Sequence, residues 1–131
     1  MNMYVRYNGG KDGYYSYSDP KTLVKGQIYK VSKICVDRFD TKVILEGIEG
    51  RFNSIWFDQL PTFFAFSKET PRLGYRLYLT RFEVLKKANG EMATFPRKQL
   101  TTHVRVVDYL GSNTYQMITA NTCYIVQVLD I

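Results

Sequence analysis

The chain reads Val-Ile-Leu-Glu-Gly-Ile-Glu-Gly-Arg-Phe-Asn-Ser-Ile-Trp-Phe-Asp from residue 43 to residue 58. Two short apolar runs flank Gly47 and Gly50, and glycine tolerates the positive φ angles that tight turns require. The stretch therefore predicts a β-hairpin whose turn spans residues 47–50. Asn53 and Ser54 then offer side-chain oxygens to nearby backbone N–H groups, which predicts a single helical turn through residues 55–57. The pattern indicates a fold and carries no recognisable chemistry.

Strand patterns continue on the N-terminal side of this hairpin. Residues 3–7 form a short strand-like run, and residues 42–46 lead into the hairpin. Between them, residues 27–36 carry apolar side chains first at odd and then at even positions. Because side chains alternate between the two faces of a strand, this change predicts a β-bulge near residues 32–33.

The second half of the chain repeats this β pattern. Residues 74–85 are apolar first at odd and then at even positions, which predicts a second bulge near residues 80–81. With that bulge, four side chains would face outward: Arg76, Tyr78, Arg81 and Glu83. Asn89-Gly90 predicts a hairpin turn, residues 101–110 a further strand, and residues 114–119 and 122–129 a final hairpin around Ala120-Asn121.

Two prolines bear on the position of one strand. Pro61 and Pro71 flank the apolar run over residues 62–66. Because proline cannot donate to a sheet ladder, we expect any strand between them to lie at a sheet edge. The C-terminal strand over residues 122–129 is a second candidate edge, and either edge could pair with another copy to form a homodimer.

These patterns predict an all-β protein with short strands, frequent turns and at most single helical turns. The pattern is that of antiparallel barrels or sandwiches, and the expected organisation is one β unit over residues 1–66 with a basic, antiparallel β-rich segment over residues 67–131 packed on it. One continuous domain remains an alternative. The length of 131 residues suits either arrangement. Eleven tyrosines and eight phenylalanines agree with β structure that has contact-making faces.

The first half resembles a known group of proteins. The residues concerned are Leu23-Val-Lys-Gly-Gln-Ile-Tyr-Lys-Val31, Ile44-Leu-Glu-Gly-Ile-Glu-Gly-Arg-Phe52 and Phe57. Over residues 3–58, the chain is similar to the short SH3-like β-barrel proteins common in bacterial and phage genomes. The resemblance implies a five-stranded, partly open barrel and no particular activity. The chain departs from these proteins in a long loop over residues 8–20 and in the basic segment from Arg72 onward.

Few residues could perform catalysis. His103, the one histidine, lies beside Val104 on an expected strand and reads as solvated or capping rather than as a general base. Cys35 and Cys123 sit singly in apolar runs, which is typical of buried free thiols, although a disulfide or a reactive thiol is an alternative. No spacing suits a zinc site, and Asp37 with Asp40 reads as turn chemistry. We therefore expect no enzyme activity, no metal and no cofactor.

The distribution of charge indicates a candidate binding surface. The net charge is +6, and residues 68–105 carry nine basic and three acidic residues. Aromatic residues are interleaved with these cations, a combination that suits phosphates and unpaired bases. The candidate site consists of Arg72, Tyr75, Arg76, Tyr78, Arg81, Lys86, Lys87, Arg97, Lys98 and Arg105. The alternative is a solvated basic face whose tyrosines pack inward.

The sequence thus predicts a non-enzymatic binding module that engages an anionic partner, most plausibly RNA or DNA, with Tyr75 or Tyr78 stacking on bases. The alternative is a phage-encoded inhibitor that occupies a charged groove of a host nuclease or defence protein, or that sequesters a nucleotide signal. No apolar run reaches the roughly 18 residues that a membrane span requires. We expect a cytoplasmic protein, in the host cytoplasm if a phage encodes it.

Overall fold

The structure is a computed structural model that describes residues 2–10, 18, 20–36, 38 and 40–129. These residues form two sheets, one curled into a half-barrel, with only lone 3₁₀ turns, so the all-β prediction is confirmed. The chain divides into an N-terminal unit, Asn2–Leu60, and a C-terminal unit that begins at Pro61. The sequence placed this boundary after residue 66. The structure places it earlier because Thr62–Ser67 is a strand of the second sheet.

The N-terminal unit is a five-stranded antiparallel sheet with strand order β4-β3-β2-β1-β5. Its elements are β1 (Met3–Tyr7), a 3₁₀ turn (Pro20–Thr22), β2 (Ile28–Val36), β3 (Thr41–Leu45), β4 (Phe52–Asn53), a second 3₁₀ turn (Ser54–Trp56) and β5 (Phe57–Gln59). Most of the loop expected over residues 8–20, together with Asp37, lies outside the described residues.

The hairpin predicted from residues 43–58 is present. It joins β3 to β4, and Gly47 and Gly50 adopt φ angles of 76° and 123°. The predicted helical turn begins one residue earlier than expected, at Ser54, and Asn53 caps it by accepting a hydrogen bond from the Ile55 N–H at 3.1 Å. The predicted bulge in β2 is confirmed by a register shift between Val31 and Lys33. Local turn and parity signals therefore predicted this sheet well.

A small aromatic core holds the N-terminal unit together. Phe52 is completely buried, and Leu45 and Val5 are almost so. Tyr7 contacts the ring of Trp56, with centroids 6.4 Å apart. Inward-facing residues of β1, β3 and β4 supply this core, as strand alternation requires.

The C-terminal unit is a six-stranded sheet with order β8-β7-β6-β11-β10-β9. Its strands are β6 (Thr62–Ser67), β7 (Tyr78–Lys86), β8 (Met92–Leu100), β9 (Val106–Gly111), β10 (Thr114–Ile118) and β11 (Cys123–Val128). The predicted hairpins at residues 89–90 and 120–121 are both present, as β7–β8 and β10–β11. The pairing of β6 with β11 is parallel, a feature that the sequence did not predict.

The predicted sheet edges are wrong. β6 lies between β7 and β11, and β11 lies between β6 and β10, so both are interior strands. Pro61 and Pro71 lie outside β6 and therefore remove no donor from its ladder. The edge strands of this sheet are β8 and β9, and neither of the two edges expected for a homodimer is available.

The predicted bulge near residues 80–81 is also wrong. β7 and β8 pair without interruption from Tyr78↔Leu100 to Lys86↔Met92. Arg81 therefore shares a face with Leu79 instead of switching to the other side. The side chains of Arg81 and Glu83 are only 16% and 21% exposed, which corrects the expectation that they face outward. Apolar residues change from odd to even positions along this segment because the hairpin carries apolar residues on both of its faces.

The strand expected over residues 101–110 begins only at Val106. His103 and Arg105 are exposed in the preceding segment, while Val104 is buried. Val104 joins a core built on one face of the sheet with Leu77, Leu79, Met117, Tyr124 and Val126. This core supports β7 from one side and leaves the opposite side of β7 available for contacts.

Candidate nucleic-acid interface

One face of the C-terminal sheet presents a row of aromatic rings beside a lysine. Ala65 pairs with Arg81 and Phe66 with Thr80, and Thr80 pairs in turn with Lys98. Because paired residues share a face and side chains alternate, four aromatic rings and a lysine lie with Thr80 on the side opposite the core. We call them the aromatic face: Phe64 and Phe66 from β6, Tyr78 and Phe82 from β7, and Lys98 from β8.

The rings of the aromatic face differ in exposure. Phe66 and Phe82 pack edge to face, with centroids 5.3 Å apart and an interplanar angle of 88°. Phe64 and Tyr78 are 66% and 68% exposed, which is unusual for large rings on a paired sheet. The packed pair of Phe66 and Phe82 therefore forms a rigid support between Phe64 and Tyr78, whose rings remain available for stacking.

A pocket of about 330 Å³ opens beside Tyr78. Its lining includes Phe66, Tyr78, Thr80, Lys98, Lys68, Glu69 and Leu129. The Ser67 hydroxyl donates to the Tyr78 carbonyl at 2.7 Å and accepts from the Glu69 N–H at 3.1 Å. These bonds hold the turn after β6 against β7, so the pocket has a fixed wall.

Two of the predicted cations lie on the opposite face of the hairpin. Arg81 and Arg97 both contact the Glu83 carboxylate, the latter at 3.3 Å. The Arg81 guanidinium carbon also lies 4.3 Å from the centroid of the Phe63 ring. Arg81 is therefore held by its neighbours and is poorly placed to bind a phosphate on the aromatic face.

The remaining predicted site residues are distributed among three places. Arg72, Tyr75 and Arg76 line a second pocket of about 450 Å³ in the segment before β7. Lys86 and Lys87 lie at the tip of the β7–β8 hairpin, and Arg105 precedes β9. Of the ten predicted residues, the structure brings Tyr78 and Lys98 together on the aromatic face.

Sequence reasoning missed Phe64, Phe66 and Phe82 as parts of this surface, whereas Lys68 belongs to the basic segment that the charge distribution had indicated. The run over residues 62–66 read as an apolar strand in need of cover, and alternation alone does not say which face is covered. The available signal was the spacing of Phe64 and Phe66, which places both rings on one side of a strand.

The model of the family described as Bacteriophage T4 protein Y07B matches residues 2–93 of this chain. The chain belongs to this family. The Y07B match supports a phage origin, which the resemblance to bacterial and phage proteins had left open. It runs through the whole N-terminal unit and continues through β6 and β7 to the start of β8. No curated protein and no solved structure matched the chain.

The Y07B match includes Tyr78, Phe64 and the other aromatic members of the aromatic face, whereas Lys98 lies beyond its last residue. Among the described residues, three or more histidines, cysteines or carboxylates do not come together as a metal site would require. None of the helical segments in the described part of the chain has the length and apolar character to cross a membrane.

Proposed function

We propose that this phage protein is a non-enzymatic module that binds single-stranded nucleic acid through its aromatic face. The observation that carries the proposal is the exposure of Tyr78, at 68%, on the same face as Lys98. An exposed ring stacks on an unpaired base, and a neighbouring lysine neutralises the adjoining phosphate with release of counterions. Bases in a duplex are already stacked on each other, so this face suits single strands better.

The surroundings of Tyr78 support the same partner. Phe64 offers a second exposed ring, and Lys68 lies at the pocket with Lys98. The segment 68–105 carries nine basic and three acidic residues, so the wider surface attracts a polyanion. Four-stranded RNA-binding sheets use the same principle when their aromatic residues stack two or three bases.

Fluorescence anisotropy with a labelled oligothymidylate of about 20 nucleotides tests this proposal, with the matched duplex as comparison. We expect micromolar binding of the single strand that weakens between about 50 and 200 mM salt. Tyr78→Ala should weaken binding roughly 5- to 150-fold, which corresponds to about 1–3 kcal/mol of stacking per base. Tyr109→Ala is the matched control because Tyr109 is similarly exposed, at 61%, but lies on β9, the edge strand farther from β7. Absence of salt-sensitive binding, or equal loss in both variants, would contradict the proposal.

In this proposal the N-terminal unit is a supporting domain with an SH3-like barrel topology. The whole protein acts in the host cytoplasm. The strand order of the N-terminal unit, β4-β3-β2-β1-β5, with β1 between β2 and the short β5, supports that topology. The buried rings of Phe52 and Trp56 are consumed by its own core. The binding surface is therefore assigned to the C-terminal unit.

A second candidate function is inhibition of a host nuclease or defence protein through the outer half of the β7–β8 hairpin. Pairing with β6 ends at Ala65↔Arg81, and the hairpin continues beyond it. Apolar side chains lie on both faces there: Val84 and Met92 are 61% and 62% exposed on one face, and Leu85 and Phe95 are 49% and 44% exposed on the other. A two-stranded ribbon with both faces in water is marginally stable, so cover by a protein partner would stabilise it.

The charge of the hairpin specifies the partner in this second candidate. Residues 78–100 carry five basic and two acidic residues, which favours an acidic protein with an apolar groove. Pro96 lies in the edge strand β8 and cannot donate a backbone hydrogen bond, so docking of side chains suits this hairpin better than strand addition.

Site-specific photo-crosslinking can test the second candidate in host extract freed of nucleic acid by nuclease. A benzophenone amino acid at position 95 should yield a discrete adduct with an acidic protein, and Val84→Thr should reduce it. The control position is 36, because Val36 is 78% exposed on β2 of the other unit. Adducts only with a second copy of the chain, or the same adduct from position 36, would contradict this function.

A further inference from the structure

We infer that the pocket beside Tyr78 receives one nucleobase of the bound strand, while Lys68 and Lys98 hold the phosphates on either side of it. This inference rests on the proposed binding of single-stranded nucleic acid and names the part of the strand that the pocket takes. Its volume of about 330 Å³ is at the lower end of ligand sites, which suits a single ring system rather than an extended ligand.

The chemistry of the walls selects a base over a phosphate. Phe66 and Tyr78 supply aromatic surface, and Leu129 adds an aliphatic side. Glu69 also lines the pocket, and its carboxylate repels an anion that enters deeply. A neutral, flat base gains from the rings and meets no such repulsion, and the hydroxyl of Thr80 offers it a hydrogen-bond partner.

The pocket is built before any ligand arrives, which lowers the cost of binding. The Leu129 N–H donates to the Ser67 carbonyl at 2.8 Å, and this bond fixes the end of β11 beside the turn after β6. The Ser67 hydroxyl ties the same turn to the Tyr78 carbonyl. Phe66 is held in addition by its edge-to-face contact with Phe82. Three walls of the pocket therefore keep their positions without help from a ligand.

Binding of a labelled tetrathymidylate should be compared with binding of a tetramer of the same charge that has no bases. In parallel, the Phe66 ring and Leu129 methyl resonances are followed by NMR, with Leu110 on β9 as the control methyl. We expect the base-free tetramer to bind roughly 5- to 150-fold more weakly, as loss of about 1–3 kcal/mol of base contact requires. The Phe66 and Leu129 resonances should shift when the tetrathymidylate is added and should not shift with the base-free tetramer. The Leu110 methyl resonances should shift with neither tetramer.

The outcomes separate the two claims. If the tetrathymidylate and the longer oligonucleotide both fail to bind, the proposed function is wrong and the pocket assignment falls with it. If the longer oligonucleotide binds while Phe66 and Leu129 do not move, the pocket assignment is wrong and the proposed function stands. If the base-free tetramer binds as tightly as the tetrathymidylate, the bases contribute nothing to binding, and both the pocket assignment and the proposed stacking on bases are wrong.

Discussion

The guanidinium carbon of Arg81 lies 4.3 Å from the centroid of the Phe63 ring, on the face of β7 that carries the core. Its side chain is only 16% exposed, and Glu83 neutralises it from two residues along the same strand. Arg97 reaches the same Glu83 oxygen at 3.3 Å from β8. One carboxylate thus forms ion pairs with two arginines and links β7 to β8.

Replacing Glu83 with Gln should destabilise the protein by about 1–3 kcal/mol, because the change leaves a largely buried Arg81 cation without a counter-charge. Thermal or urea unfolding followed by circular dichroism measures this effect. Arg97→Gln is the control, since Arg97 is 63% exposed and an exposed ion pair contributes little. A Glu83→Gln variant as stable as Arg97→Gln would show that the carboxylate does not hold Arg81.

Gly50 should tolerate substitution less well than Gly47, although both have positive φ angles. A Cβ on Gly50 would lie 2.7 Å from the Cβ and Oγ of Ser18, whereas a Cβ on Gly47 would meet nothing within 4 Å. Ser18 cannot simply move away, because its hydroxyl accepts a hydrogen bond from the Arg51 N–H at 2.8 Å. Gly47→Ala should cost about 1–2 kcal/mol from backbone strain alone, and Gly50→Ala should cost more.

Urea unfolding followed by tryptophan fluorescence measures this difference directly. Trp56 is the single tryptophan of the chain and is buried in the core of the N-terminal unit. A Gly50→Ala midpoint equal to or above that of Gly47→Ala would mean that the approach of Ser18 does not constrain this turn.

The sequence predicted those parts of the fold that depend on neighbouring residues. The turn at Gly47 and Gly50, the cap at Asn53 and the hairpin at residues 89–90 all follow from local backbone preferences. It failed on the edges of the second sheet, because it placed β6 and β11 there and both are interior strands. Their interior position depends on the parallel pairing of β6 with β11, a contact between distant segments that leaves no local signal.

The same distinction explains the candidate site. Charge and aromatic content indicated residues 68–105. The wrongly predicted bulge led to the expectation that Arg81 faces outward, whereas its side chain packs on Phe63. Strand alternation put Phe64 and Phe66 on one face, yet only the completed sheet shows that Tyr78 and Lys98 share that face. Sequence reasoning could identify the basic segment but could not determine which of its cations are held by carboxylates.

Thr101→Val should destabilise the C-terminal unit by about 1–3 kcal/mol. The Thr101 hydroxyl is buried, accepts from the Leu77 N–H at 3.1 Å and donates to the Thr102 carbonyl at 2.8 Å. Valine has nearly the same shape but cannot make either bond, so it leaves a buried donor without its side-chain partner. Thr94→Val is the control, because Thr94 is exposed on β8.

Circular dichroism melts of the two variants should separate, with only Thr101→Val lowering the midpoint. Amide hydrogen exchange adds a local measurement, since the Leu77 N–H should exchange faster in Thr101→Val than in the parent protein. Unchanged protection of Leu77 would show that Thr101 does not anchor the segment before β7.

The two free cysteines should react at very different rates. Cys123 is 5% exposed in the interior strand β11, and its sulfur accepts a hydrogen bond from the buried amide of Gln116 at 3.6 Å. Cys35 is only partly buried on β2.

In the native protein, a disulfide reagent such as DTNB should therefore modify Cys35 first. Cys123 should react at least about 100-fold more slowly, as a local opening that costs about 3 kcal/mol would require. Cys35→Ser should abolish the fast phase and Cys123→Ser should preserve it, while in guanidinium both thiols of the parent protein should react together. Two fast equivalents in the native protein would mean that β11 opens readily, and the pocket wall that Leu129 forms just beyond β11 would then lack the rigidity assigned to it.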